Sequence, residues 1–389
     1  MSAISATRQG GVPLGVKAVF AVLWAIAFLA GAYGIVQRFT QGHEIANYGS
    51  YVPWGLWVAM YIYSVGLSAG SYLLSSAIYA GGIGRLETIG KLALFTSFVA
   101  LVSGLLTIWL DLGHLERFWE VYTRPNAFSM MTWMVWLYTI FFVLVIVELW
   151  FALRADLRTV KAFATVGVPL AIAFSGGVGA LFGVVGARPY WNSPLYPILF
   201  LMSALTSGTA LLTFLVAAFW PERRSVEFRD LVSLLGRITL ALLILDLLFE
   251  WAEISISLYA SIPAEASAYR EMLFGPYWWA FWLVHLAAGA VLPVLILVFR
   301  SRSAGWVGLS GLLIAATFLA VRINIVLPGE VIPEIRGLEA AYQEAGLSFQ
   351  YLPSTGEWLV GLFVVALAVL LFTIGYTRLP LAGKSDKEA

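Results

Sequence analysis

The chain has no cysteine and only three histidines in 389 residues, and only 12% of those residues are charged. Each shortage excludes something. Without thiolates the chain holds no iron–sulfur cluster, and it forms no disulfide. A two-haem cytochrome with paired histidine ligands needs four intramembrane imidazoles. Here His43 and His114 read as extramembranous, and only His285 lies inside an apolar run. One histidine with no cysteine is a poor metal-ligand set. An ordinary soluble domain is ~25% charged, so a soluble globular protein is excluded. The formal net charge of +1 and the absence of long Lys/Arg runs exclude a basic nucleic-acid binder. Any redox role therefore uses a diffusible or partner-held cofactor.

Apolar residues are abundant: 61% are hydrophobic, with 16 Trp, 17 Tyr, 25 Phe and 36 Gly. A membrane-spanning helix needs ~20 mostly apolar residues. Ten runs qualify, at 16–37, 54–82, 89–110, 128–152, 161–187, 195–219, 231–257, 276–299, 304–327 and 358–377. They are too long for barrel strands. The fold class expected is an all-α integral membrane protein of ten transmembrane helices. Arg8 and Lys17 precede a long first run with nine more behind it, so an uncleaved first helix is expected rather than a signal peptide. With the N-terminus cytoplasmic, inside segments carry fifteen Lys and Arg and outside segments six; Arg237 and Arg322 lie within helices. That bias places both termini in the cytoplasm. The longer connections, 38–53, 111–127, 258–275 and 328–357, then lie outside.

A weak internal repeat divides the chain. Gly66-Leu-Ser-Ala-Gly70 in span 2 matches Ala204-Leu-Thr-Ser-Gly208 in span 6; Gly90-Lys91 matches Gly236-Arg237. Trp133-x-x-Trp136-Leu137 matches Trp279-x-x-Trp282-Leu283. Corresponding spans run in the same direction, which predicts two parallel-related four-helix bundles, spans 2–5 and 6–9, with spans 1 and 10 peripheral. The divisions expected are 1–53, 54–187, 188–327 and 328–389.

Ionisable groups inside a membrane are costly and are functional candidates. Asp246, Glu250 and Glu253 share one face of span 7. Such a row suits proton transfer, or equally an inward polar stripe. Arg322 lies at the same level and is expected to pair with Glu250 or Glu253. His285 sits near mid-membrane as a packing residue or a proton carrier. Glu148 is expected at the cytoplasmic interface. The densest cluster, Asp111-Leu-Gly-His114-Leu-Glu-Arg117-Phe118-Trp119, follows span 3 on the outer side. It combines carboxylate, imidazole and guanidinium beside aromatics, as a quinone head requires. The plainer reading is an interfacial turn whose charges reach lipid headgroups.

Two stretches add a resemblance: Tyr51-Val-Pro-Trp54-Gly-Leu-Trp57-Val-Ala-Met-Tyr61 running into Gly66–Gly70, and Leu110–Trp119 followed by Arg124-Pro-Asn126 and Ser129-Met-Met-Thr-Trp133. Together they resemble the polysulfide reductase membrane-subunit (NrfD) family. Tyr351-Leu-Pro-Ser354-Thr-Gly-Glu357-Trp358 looks like its longer, ten-helix branch. The resemblance implies a haem-free subunit that binds menaquinone or ubiquinone near the outer face of a prokaryotic cytoplasmic membrane. It also implies electron exchange with an outer four-cluster ferredoxin-like iron–sulfur subunit. A further redox subunit would be a molybdopterin enzyme, a hydrogenase or a multihaem cytochrome. By motif position it implies catalytic roles for Asp111 and His114, and quinone contacts for these two with Arg117, Tyr61 and Trp57. A proton path would map to Asp246, Glu250, Glu253, His285 and Arg322. A secondary transporter built from parallel repeats and a passive membrane anchor are the competing readings.

Overall fold

The computed structural model describes residues 14–382 except 336, 343 and 345. Arg8, Arg336, Lys384 and Lys387, counted above for orientation, lie outside the described residues. Ten helices are long and apolar enough to cross a membrane: α1 Leu14–Gln41, α2 Leu56–Tyr79, α3 Gly90–Asp111, α4 Met130–Leu153, α5 Leu157–Gly183, α6 Tyr196–Phe219, α7 Val226–Ala260, α8 Ala280–Phe299, α9 Ala304–Glu330 and α10 Thr355–Arg378. No strand occurs among the described residues. Lipid offers no hydrogen bonds, so each apolar run satisfies its own backbone as a helix. The protein is a multi-pass membrane protein.

Helix ends follow local chemistry. Asp156 caps α5 through Thr159 N (3.2 Å), and Ser225 caps α7 through Phe228 N (3.1 Å). Ser354 and Glu357 form a reciprocal capping box on α10. The sequence boundaries miss two features. Helix α7 has 35 residues, longer than its apolar run. In α8 the stretch Ala280–Val291 is π-helical, which hydropathy does not show. The segment 258–275 contains a further helix, Pro263–Phe274, that buries Ala266, Tyr269, Met272 and Leu273.

Packing places α2 at the centre. Its most apolar window is 89% buried, against 11% for α1. Helix α2 packs on α3 and α5, and α6 on α7 and α9; α4 lies on α5 and α8 on α9. Helix α1 pairs with α10, which leans on α3. Helices α2 and α6 cross through the small residues that repeat in the sequence. A Cβ on Gly70 would strike the Ala204 carbonyl, and one on Gly208 would meet Gly70 Cα at 2.7 Å. Small residues let the two backbones touch. Gly70→Leu is therefore expected to destabilise the protein by at least about 1–3 kcal/mol through overpacking. A lowered melting temperature in detergent, with Gly84→Leu in open space having far less effect, checks it.

Candidate functional site

Asp111 is the last residue of α3. Its Oδ1 accepts the Tyr48 hydroxyl at 2.9 Å. Arg38, in the last turn of α1 and 4% exposed, reaches the same helix end. Its Nε donates to Leu110 O (2.8 Å) and its Nη2 to Leu112 O (2.6 Å). The final carbonyls of a helix have no partner within it, and a cation there also complements the helix dipole. Nη2 also lies 2.9 Å from His43 Nε2. A guanidinium only donates, so this nitrogen carries the lone pair and the neutral ring holds its proton on Nδ1. The Asp111 main chain bonds the same ring. The rings of His43, Tyr48 and Trp57 meet edge-on with centroids 5.5–6.2 Å apart, and Arg38 lies 5.9 Å over Trp57. Burial, and then the Asp111 carboxylate, push the Tyr48 phenol above its ordinary range. It therefore keeps its proton and donates at neutral pH.

Glu357, completely buried at the start of α10, holds this end together. Its Oε2 accepts from Asn47 N (3.1 Å) and Ser354 N (2.9 Å), and its Oε1 from Leu56 N (3.3 Å) and the Tyr351 hydroxyl. Its carbonyl accepts the Trp57 indole N–H at 3.0 Å. Tyr61, one turn deeper on α2, shares a hydrogen bond with Tyr138 of α4.

The structure separates the residues of the Asp111–Arg117 motif. Beyond Leu112 the chain turns outward through a 3-10 turn, Leu115–Arg117. His114 and Arg117 are 67% and 61% exposed and lie beside Glu116, with the His114–Glu116 pair at 3.0 Å. Asp111 instead joins Tyr48, His43 and Arg38, which sequence reasoning missed. Those partners lie far off along the chain and share no spacing with α3. The basic residue in the last turn of α1 and the Ser-x-x-Glu cap of α10 were the available signals.

The second polar cluster lies among α6, α7, α8 and α9. Asp246, Glu250 and Glu253 line one cavity with Arg322, Ser203 and Asn324. His285 Nε2 lies 2.8 Å from Glu250 Oε2, and Ser193 donates to Glu253 Oε2 at 3.0 Å. The expected pairing of Arg322 with Glu250 or Glu253 does not occur. Arg322 Nη2 donates to Ser203 Oγ (2.9 Å), and the guanidinium sits 4.4 Å over the Phe200 ring. Histidine occupies Glu250 first, and Glu253 turns to Ser193. Glu148 also departs from expectation. It is fully buried and accepts the Tyr72 hydroxyl at 2.7 Å, because α4 turns it inward onto α2. No cluster of three or more metal-ligating side chains occurs among the described residues.

Truncating Glu357 takes the acceptor from Asn47 N, Ser354 N and the Tyr351 hydroxyl, while Leu56 N keeps the Tyr351 oxygen at 2.8 Å; each unsatisfied buried group costs ~1–3 kcal/mol. Glu357→Ala is expected to cost about 3 kcal/mol or more, with Glu357→Gln milder because it keeps one acceptor. Unfolding in detergent measures both; an alanine variant as stable as wild type would remove Glu357 from this role.

The family model for "Polysulphide reductase, NrfD" matches residues 44–334. A selenate reductase subunit of Mesobacillus selenatarsenatis is 35% identical, the alignment covering 95% of this chain and 96% of that one. The Hdr-like menaquinol oxidoreductase integral membrane subunit of Archaeoglobus fulgidus is 28% identical over 92% and 91%. The menaquinone reductase integral membrane subunit of Nitratidesulfovibrio vulgaris is 24% identical over 90% and 88%. A match over most of its length, and a relative of that identity covered almost end to end, place the chain in the NrfD polysulphide reductase family.

Proposed function

We propose that this chain is the quinone-reactive membrane subunit of a prokaryotic respiratory oxidoreductase, working at the outer end of α3. The observation that carries this reading is the niche in which Asp111, Tyr48, His43 and Arg38 converge beside Trp57. A quinone head needs hydrogen-bonding groups for its carbonyls, flat apolar walls and an acid–base group. This niche offers all three. Two relatives are named for menaquinol or menaquinone, which favours menaquinone over ubiquinone.

A quinol supplies two electrons and two protons on oxidation, and a quinone takes up the same on reduction. The protein's part is to hold the head and move protons. Tyr48 fixes Asp111 through Oδ1, so that Oδ2 takes or returns a proton. His43 offers a second hydrogen-bonding ring, and Arg38 steadies negative charge at the helix end. Trp57, with Tyr61 below it, bounds the site on the α2 side. His114 and Arg117, at the exposed rim, connect it to water and to the partner. Electrons pass to or from a four-cluster iron–sulfur subunit docked outside, joined to a molybdopterin enzyme, hydrogenase or multihaem cytochrome. Asp246, Glu250, Glu253, His285 and Arg322 form a proton route between mid-membrane and the outer side. Helices α2–α5 and α6–α9 act as two parallel-related bundles, with both termini cytoplasmic.

In the complex purified with its native partners, Asp111→Asn is expected to slow reduction of the iron–sulfur centres by a menaquinol analogue by about 10²-fold or more. His114→Ala should cost far less. Unchanged turnover in Asp111→Asn would remove that residue from the mechanism. A wild-type complex inert to every quinol would leave the passive anchor or a transporter. The lack of cysteine makes orientation equally testable. A maleimide that cannot cross the membrane should label Phe128→Cys from outside and Ala155→Cys only from inside.

A further inference from the structure

The cavity between α6, α7 and α9 has a volume of about 50 Å³. Ligand pockets run to ~300–1,000 Å³, so this one admits neither a quinone head nor a transported solute of that size. Its lining nevertheless demands polar company. Arg322 Nη1 and both polar atoms of the Asn324 side chain are sealed from solvent and face no hydrogen-bond partner in the protein. Arg322 and Asn324 are each 3% exposed, and both line the cavity. His285 Nδ1, behind Glu250, is orphaned in the same way. Asp246, 4% exposed, lines the same space, yet no ion pair within 4.0 Å joins it to Arg322. Leaving such groups bare is unfavourable, most of all for a charged one.

From this geometry we infer that the cavity is a binding site for ordered water, a small cluster held by Arg322, Asn324 and Asp246. A cavity needs at least ~10–15 Å³ to hold one water, and a buried water makes two to four hydrogen bonds. The space here exceeds that minimum several times over, and the orphaned atoms supply the partners. The amide of Asn324 presents both a donor and an acceptor, which suits it to orient the cluster. Through these waters Asp246 reaches Arg322 and Glu250, which it does not touch, and Glu250 passes to His285. Asp246 and Glu250 of α7 thereby join Arg322 and His285 in one connected network. The cluster is independent of the quinone site, and its test uses no quinol.

Hydroxyl radicals generated in place by synchrotron irradiation oxidise side chains beside bound water even where bulk solvent is excluded. Met272 lines the cavity and is 3% exposed; Met134 and Met60, at 3% and 5%, are matched controls away from it, and Met131, at 53%, reports bulk water. In the membrane-embedded wild-type protein Met272 is expected to oxidise at least about tenfold faster than Met134 and Met60, methionine being readily converted to its sulfoxide. After rapid mixing into ¹⁸O-water, heavy oxygen should enter Met272 later than Met131, because held water exchanges slowly. Asn324→Leu should lower Met272 oxidation towards the controls, and Asn324→Asp should retain it. Met272 oxidising no faster than Met134 would overturn the inference. So would ¹⁸O entering Met272 and Met131 together. If Asn324→Leu misfolds, Met134 and Met60 oxidise faster as well, and the wild-type comparison alone decides.

Discussion

The end of this protein where α2 and α10 begin depends on one carboxylate. Glu357 collects four donors from three separate stretches of chain: the loop before α2, the first residue of α2 and the segment entering α10. A buried carboxylate is tolerated only where hydrogen bonds replace its hydration. Meeting that demand fixes the start of α10 against the start of α2. Helix α1 follows, because Gly31 and Gly34 bring it against Phe363 and Leu359 of α10. Arg38 is thereby delivered to the end of α3, and Asp111 finds its surroundings ready. Helices that lie at the edge of the assembly thus organise the site nearest its surface.

The two polar regions are built on opposite principles. Around Asp111 the groups are walled by aromatic rings and tied to main-chain carbonyls. Around Asp246 the protein gathers ionisable side chains from α7, α8 and α9, with a roof from the Pro263–Phe274 helix.

Much of this was legible in the sequence, and the boundary of legibility is physical. Hydropathy and length identify all ten crossings because the bilayer permits no other backbone. Small residues at four-residue spacing identify the surfaces of α2 and α6 that touch, because close approach has a steric signature. The acidic face of α7 follows from helical periodicity. What a row of residues meets is another matter. The pairing of Arg322 with Ser203 rather than with a carboxylate depends on the relative depth of α6 and α9. The inward turn of Glu148 depends on how α4 rotates against α2. His114 and Arg117 share a motif with Asp111 but not a direction, because the helix ends between them. Arg38, His43, Tyr48 and Glu357 were invisible as a group. They lie up to about three hundred residues from their partners, and nothing local marks such a meeting.

Helix α7 spans 35 residues, hence about 52 Å of continuous rod, where the hydrocarbon layer is ~30 Å thick. It extends well past the lipid or leans strongly within it. Its C-terminal half carries the acids Asp246, Glu250 and Glu253. Such a rod is a lever. A change of tilt by about 5° displaces one end relative to the other by about 4–5 Å.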